Sequence, residues 1–402
     1  MTVNLAEWYL ADYLPVCADK RALPAPELPP PPCPYRGLFA FEEQDAPNYF
    51  GRETDASEVL VALERQPLVA VVGPSGSGKS SLVQAGVVPR LRAAGGWTIA
   101  SFRPRGRPFA ELAQALVGTW PGDPVERLAQ ATRLAGHWSA GTVPLIDAAR
   151  ETLRQTGGRR LLLIADQLEE VWTLAASPVQ AQGILDLLAA AVEAAAAPGG
   201  QPPALCLLIA LRADFLGHAL GHRGLAACLD RYPKKLLGPV TDPERLRAIV
   251  CKPAQGAQVQ LEDLLAERIL RDLAQLPGED ASGVCTRSGA SLPLLEFALA
   301  ELWARQRERR LTHLGYAELG GIQRALSRHA DAAYAAFPEP ERERVRHVLV
   351  QMVRPGRAPR TPARSPPAPR CARRTGRWSP DWPMHGWSSP VMNRCSTKTP
   401  PS

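Results

Sequence analysis

The sequence predicts an α/β fold: a parallel sheet flanked by helices, followed by an all-helical module and a tail with no fold of its own. Three observations predict it. An apolar run at 67–72 feeds directly into a glycine-rich turn. Three more strand-like stretches, 97–102, 161–165 and 205–211, alternate with helical patterns, and beyond residue 241 helical spacing alone continues. Strands that alternate with helices form parallel sheets, because each crossover is long enough to be a helix. At 402 residues the chain exceeds the usual size of one core, so two or three units are expected.

Residues 1–34 open with a short apolar patch (Leu5, Trp8, Tyr9, Leu10, Tyr13 and Leu14), then carry seven prolines between 24 and 34. That density favours an extended spacer. The folded unit is expected from residue 35, with Phe50-Gly51-Arg52-Glu53 just ahead of a helical run at 58–63. The strand at 67–72 is aliphatic enough to be buried on both faces. It enters Gly73-Pro74-Ser75-Gly76-Ser77-Gly78-Lys79-Ser80-Ser81, which fits the pattern G-x-x-x-x-G-K-[ST] without a mismatch. In such a P-loop the glycines let backbone N–H groups turn inward and the next helix adds its positive end, so a polyphosphate is held by amides. Lys79 is expected at the β- and γ-phosphates, and Ser80 on Mg²⁺ as a hard oxygen donor.

The second strand, 97–102, ends at Arg103-Pro104-Arg105-Gly106-Arg107-Pro108, a turn with three arginines. Residues 109–154 alternate helical patterns with Gly/Pro breaks. The strand at 161–165 ends at Asp166, the position from which a carboxylate orients Mg²⁺ or its water. Gln167, Glu169 and Glu170 follow; any one of them can orient an attacking water, and spacing does not choose among them. A helical stretch at 180–197 leads to the strand at 205–211 and to Arg212-Ala213-Asp214. Arg212 either touches the γ-phosphate or pairs with Asp214. Helical spacing then covers 242–251, 261–276, 293–309 and 316–337, and resumes over 341–352 after Pro338-Glu339-Pro340. The apolar face at Leu294, Leu295, Phe297, Ala298, Leu302 and Trp303 is read as core.

The bulk properties exclude several classes. No run of eighteen apolar residues exists and the N-terminus lacks a basic region followed by an apolar core, so neither a membrane span nor a secretory signal is expected. Eight scattered cysteines with no C-x-x-C pair suit the reduced thiols of a cytoplasmic protein. The net charge of +7 belongs to residues 354–402, which hold ten Lys/Arg against one acid, Asp381; the other 37 basic and 39 acidic residues nearly cancel. A nucleic-acid partner is therefore not expected.

With these pieces in order, the chain resembles the STAND class of P-loop NTPases, specifically the novel STAND NTPase 1 domain. The resemblance runs from about residue 33 to 353. It rests on Pro34-Tyr35-Arg36-Gly37-Leu38, Phe50-Gly51-Arg52-Glu53, the P-loop, Arg103-Pro104, Asp166-Gln167-Leu168-Glu169-Glu170, Leu211-Arg212-Ala213-Asp214-Phe215 and Leu292-Pro293-Leu294-Leu295-Glu296-Phe297. It implies an ATP/ADP-controlled, Mg²⁺-dependent switch in bacterial signalling, with an AAA-like core at 35–240, a helical lid at 241–310 and the start of a winged-helix-type module at 311–353. It further implies that Arg52 lies near the adenine, that Asp166 is the Walker B acid, that Arg212 is a sensor and that Pro293 belongs to the lid over the nucleotide. Protein partners, or self-association through the lid and the absent module, are expected from the same resemblance.

Three departures stand out. Ala165 replaces a larger aliphatic residue before the Walker B acid, no effector domain precedes the linker, and neither a complete winged helix nor repeats follow residue 353. Residues 354–402 contain no Leu or Ile, eleven prolines and three tryptophans, a composition that cannot bury enough apolar surface to fold. The tail is expected to be unstructured, and a reading-frame shift would produce both its composition and the missing module. Two other functions compete with the switch. An ABC-type transport ATPase shares the P-loop but requires a Leu-Ser-Gly-Gly-Gln signature, which is absent. A non-catalytic scaffold holding ADP would share the loop and lack turnover.

Overall fold

The computed structural model describes residues 31–196, 201–276 and 291–352. Most of the proline-rich start, the tail and its suggested frame-shift origin lie outside the described residues. The chain divides into two units between Glu343 and Arg344.

A 3₁₀ turn at Glu43–Asn48 precedes α1 (Glu53–Arg65) and the strand β1 (Leu68–Gly73). Helix α2 begins at Lys79–Ser81, widens into a π-helical turn at Leu82–Val87 and finishes as Val88–Ala94. Then come β2 (Trp97–Phe102), α3 (Pro108–Val117), α4 (Pro124–Ser139), α5 (Leu145–Thr156) and β3 (Arg160–Ala165). They are followed by α6 (Pro178–Ala195), β4 (Leu205–Arg212), α7 (Arg223–Arg231) and β5 (Lys234–Leu236). Asp-Pro and Ser-Pro pairs start three helices in this unit: Asp123, Ser177 and, further on, Asp242 each accept a backbone N–H of the first turn while proline fills the first helical position.

The five strands form one parallel sheet in the order β2-β3-β4-β1-β5. Register decides what meets at its C-terminal edge. Gly73 pairs with Arg212 and Phe102 with Ala165, so the loop after β1, Arg103, Asp166 and Arg212 emerge side by side. One face of the sheet is covered by α3, α5, α6 and α7 through residues such as Phe109, Leu112, Ile184 and Leu225; the other is covered by α1 and α2 through Val59, Leu63, Leu82 and Val87. β1 is buried throughout and β4 nearly so, which is why both read as unbroken aliphatic runs.

The third core belongs to α8 (Pro243–Gly256), β6 (Gln260–Leu261), α9 (Leu265–Ala274), α10 (Ser291–Trp303), β7 (Arg310–Leu311), α11 (His313–Leu319) and α12 (Gly321–Ala336). Val250, Ile269, Leu295, Leu302 and Tyr316 fill it, and Leu295, Phe297, Ala298, Leu302 and Trp303 are core as expected. The last helix, α13 (Glu339–Met352), crosses into the second unit, of which residues 344–352 are described as helical.

The structure corrects the sequence reading in four places. β5 was not expected: its Lys-Lys-Leu edge strand is short and mostly exposed, so it carries no apolar pattern. Strands do not stop at residue 241, since β6 and β7 pair in parallel within the otherwise helical module. The helix expected over 293–309 ends at Trp303, because the chain turns to place β7 beside β6. The helix expected over 316–337 is two helices, broken where Gly320 and Gly321 take φ of 82° and 69°.

Candidate functional site

The P-loop is fixed by close approach. A Cβ on Gly73 would stand 2.4 Å from the Leu237 carbonyl oxygen, so no larger residue fits between β1 and the segment after β5. Gly76 and Gly78 take φ of 74° and 85°, the left-handed conformation that bends the loop into the helix. Lys79 is buried, and its Nζ donates to the carbonyl oxygens of Gly73 at 3.0 Å and Pro74 at 2.9 Å, bridging the mouth of its own loop. Burial lowers its ammonium pKa and Arg212 adds to this, while Glu169 and Asp166 oppose it. Ser81 also lines the cleft, its Oγ accepting the Phe41 N–H at 3.1 Å. Ser77 is fully buried with its Oγ unpartnered, and Ser75, Gly76 and Ser80 line the cleft.

Opposite the loop stands Asp166, 3% exposed. Ser80 Oγ donates to its Oδ1 at 2.8 Å, while Arg103 Nε and a terminal guanidinium nitrogen donate to its Oδ2 at 3.2 and 3.1 Å. The Glu169 carboxylate accepts the Arg212 N–H at 3.3 Å; burial raises its pKa, against the pull of backbone hydrogen bonds, Lys79 and Arg212. Glu170 turns aside. Its carboxylate accepts the Arg105 N–H at 3.1 Å, burial raises its pKa, and it does not line the cleft, whereas Gln167 and Glu169 do. Gln167 takes a left-handed φ of 54°, which swings the chain past Asp166. The Arg212 guanidinium is paired with Asp214 at 3.0 and 2.7 Å and lies over the Phe215 ring.

These groups surround a cleft of about 890 Å³, within the range of small-molecule sites. Its far wall is formed by Tyr49, Phe50, Ile249, Leu292, Pro293 and Glu296, with Arg52 between the two ends. Arg52 is 6% exposed and donates to Asp55 at 3.2 Å, to the Ser77 carbonyl at 3.1 Å and to the Gly238 carbonyl at 2.7 Å. It braces the loop from behind. Burial would raise the Asp55 pKa, but hydrogen bonds from Lys235 and Arg52 hold it below the usual carboxylate value. On the far wall Glu296 Oε2 accepts the Arg36 N–H at 3.3 Å, and burial pushes its carboxyl up to about 8.

The structure thus brings Lys79, Ser80, Asp166, Glu169 and Arg212 to one end of a cleft and Pro293 to the other. Arg103, Tyr49 and Glu296 were not among the expected site residues. The turn of three arginines was visible for the first, and Glu296 lies within the 292–297 motif on which the resemblance rests; nothing local marked Tyr49.

Comparison with known proteins gives a family for the chain and several solved structures similar to it. The profile of the family described as Novel STAND NTPase 1 matches residues 34–372. The match continues past residue 353, so the end of the resemblance does not coincide with the change of composition. No curated protein matches the chain. Similar solved structures include a Walker-type ATPase of Pyrococcus abyssi, 17% identical, with a TM-score of 0.44 over 77% of this chain and 78% of that one. They also include the Aeropyrum pernix ORC2 protein in ADPNP–ADP complexes, 16% identical, with a TM-score of 0.45 over 73% and 72%. A third is the Escherichia coli MS115-1 HORMA:CdnC:Trip13 complex, 13% identical, with a TM-score of 0.41 over 70% and 91%.

Proposed function

The chain belongs to the Novel STAND NTPase 1 family, and from that premise we propose that it is an ATP-binding, slowly hydrolysing signalling switch. The observation that carries this reading is the 2.8 Å hydrogen bond between Ser80 Oγ and Asp166 Oδ1, which joins the P-loop helix to the end of β3 across 86 residues. That pair is what a phosphate-bound Mg²⁺ needs: two hard oxygens side by side, one hydroxyl and one carboxylate. Among the described residues no cluster of three or more His, Cys, Asp or Glu could hold a metal unaided, which suits a cation that takes most of its ligands from phosphate and water. When bound, Mg²⁺ would neutralise charge on the β- and γ-phosphates.

The chain's own residues do the rest. Backbone N–H groups of 75–79 cradle the phosphates, and Lys79 exchanges its two carbonyl acceptors for phosphate oxygens. Glu169 accepts the proton of a water whose oxygen bonds to the γ-phosphorus as the bridging oxygen leaves with ADP; its raised pKa keeps it a usable base in a confined site. Arg212, released from Asp214, offsets charge on the departing phosphoryl group. Pro293 and Leu292 close the base end.

Calorimetry with ATP tests the reading. The wild-type protein is expected to bind, and Lys79→Ala to bind about 10- to 100-fold more weakly, the loss of a charge-assisted contact. Equal binding by both proteins would remove the P-loop from the function.

A further inference from the structure

We propose that Arg103 is a positioning residue that occupies the cation place beside Asp166 until a nucleotide-bound Mg²⁺ displaces it. The inference rests on the nucleotide reading above and deepens it by naming what the metal must compete with.

Both oxygens of the Asp166 carboxylate are engaged, Oδ1 by Ser80 and Oδ2 by two N–H groups of Arg103. The carboxylate is 5% exposed, and a buried carboxylate without a partner is costly. Guanidinium is permanently charged and its fork matches carboxylate geometry, so it satisfies Asp166 well. It is also the one partner here that can leave freely. The Arg103 side chain is 41% exposed and lines the open cleft, so its head can return to water at little desolvation cost. Ser80, by contrast, is held by the helix start. The register fixes this arrangement, since Phe102 pairs with Ala165 and the next residue on each strand is Arg103 and Asp166. A divalent ion approaching Asp166 and Ser80 together competes with the guanidinium for the one carboxylate, because two cations on it repel. Metal loading and departure of the Arg103 guanidinium from Asp166 are therefore one event.

The experiment is a Mg²⁺ titration of binding of a fluorescent ADP analogue to the full chain, wild type against Arg103→Gln and Arg103→Lys. ADP is used because it lacks the γ-phosphate, so a phosphate contact by Arg103 does not intrude. Arg103→Gln is expected to reach half-maximal binding at about tenfold lower Mg²⁺, the order of one charge-assisted hydrogen bond. Its Mg²⁺-free affinity should change by less than about twofold, and Arg103→Lys should fall between the two proteins. An unchanged or higher Mg²⁺ midpoint in Arg103→Gln overturns the inference, as does a parallel loss of affinity with and without Mg²⁺. Failure of the wild-type protein to bind the analogue at any Mg²⁺ concentration sinks the nucleotide reading and this inference with it.

Discussion

Glu169 reaches across the strand ends to Arg212, its Oε2 accepting the arginine's backbone N–H at 3.3 Å. The bond ties the acid after β3 to the last residue of β4 and aims its carboxylate into the cleft, while Glu170, one residue on, is turned to Arg105. Two adjacent glutamates therefore have different fates. Glu169→Gln is expected to lower ATP turnover by about 10² or more and leave ATP affinity unchanged, as removal of a general base does. Glu170→Gln should turn over within about fivefold of wild type, which is below about 1 kcal/mol of barrier. A phosphate-release assay under saturating ATP separates them, and the reverse ranking would transfer the role to Glu170.

What was legible in the sequence was local. β1, β3 and β4 each show an aliphatic run and β2 a mixed apolar and hydroxyl pattern, and the loop after β1 carries its glycines and lysine in unbroken order, so the phosphate end of the cleft could be drawn from spacing. Asp166 was legible because it ends a strand. The partner of its second oxygen was not, because Arg103 comes beside it only through the pairing of β2 with β3, and no periodicity encodes which strands are neighbours. The same holds for Glu296, which meets the Arg36 backbone across 260 residues. β5 was missed for a different reason: an exposed edge strand has no buried face to impose a pattern. The resemblance puts Arg52 near the adenine; in the structure it lines the cleft and its donors go to Asp55, Ser77 and Gly238, partners that spacing does not reveal.

That last arrangement makes a stability prediction. Arg52→Ala removes a buried guanidinium that joins α1, the P-loop and the segment after β5. Asp55 keeps Lys235 at 2.7 Å, so it is not left as a lone buried charge. The expected destabilisation is about 2–3 kcal/mol, short of the full cost of breaking a buried pair, with weaker ATP binding because the Ser77 carbonyl loses its anchor. Arg52→Lys should recover little of it, since one ammonium cannot reach three acceptors in a planar fork. Denaturant melts check this; a change below about 0.5 kcal/mol, the level of an ordinary surface substitution, would show that Arg52 braces nothing.

Glu296 makes the pH prediction. Burial raises its carboxyl from 4.5 to about 8 in the folded protein. Between those values the folded chain holds a proton that the unfolded chain has released, so unfolding loses protons and stability falls as pH rises. The contribution is fully present below about 4.5, declines through the window and is gone above about 8. Glu296→Gln keeps an oxygen for the Arg36 N–H and has no proton to lose, so its stability should not share the decline. The measurement is the melting midpoint of both proteins from acid to mildly alkaline pH. The difference between the two midpoints should widen in favour of Glu296→Gln as pH rises through the window. Two curves that stay parallel would mean that the carboxyl ionises without cost, reaching water through the cleft it lines, and that the far wall of the site is wetter than its burial indicates.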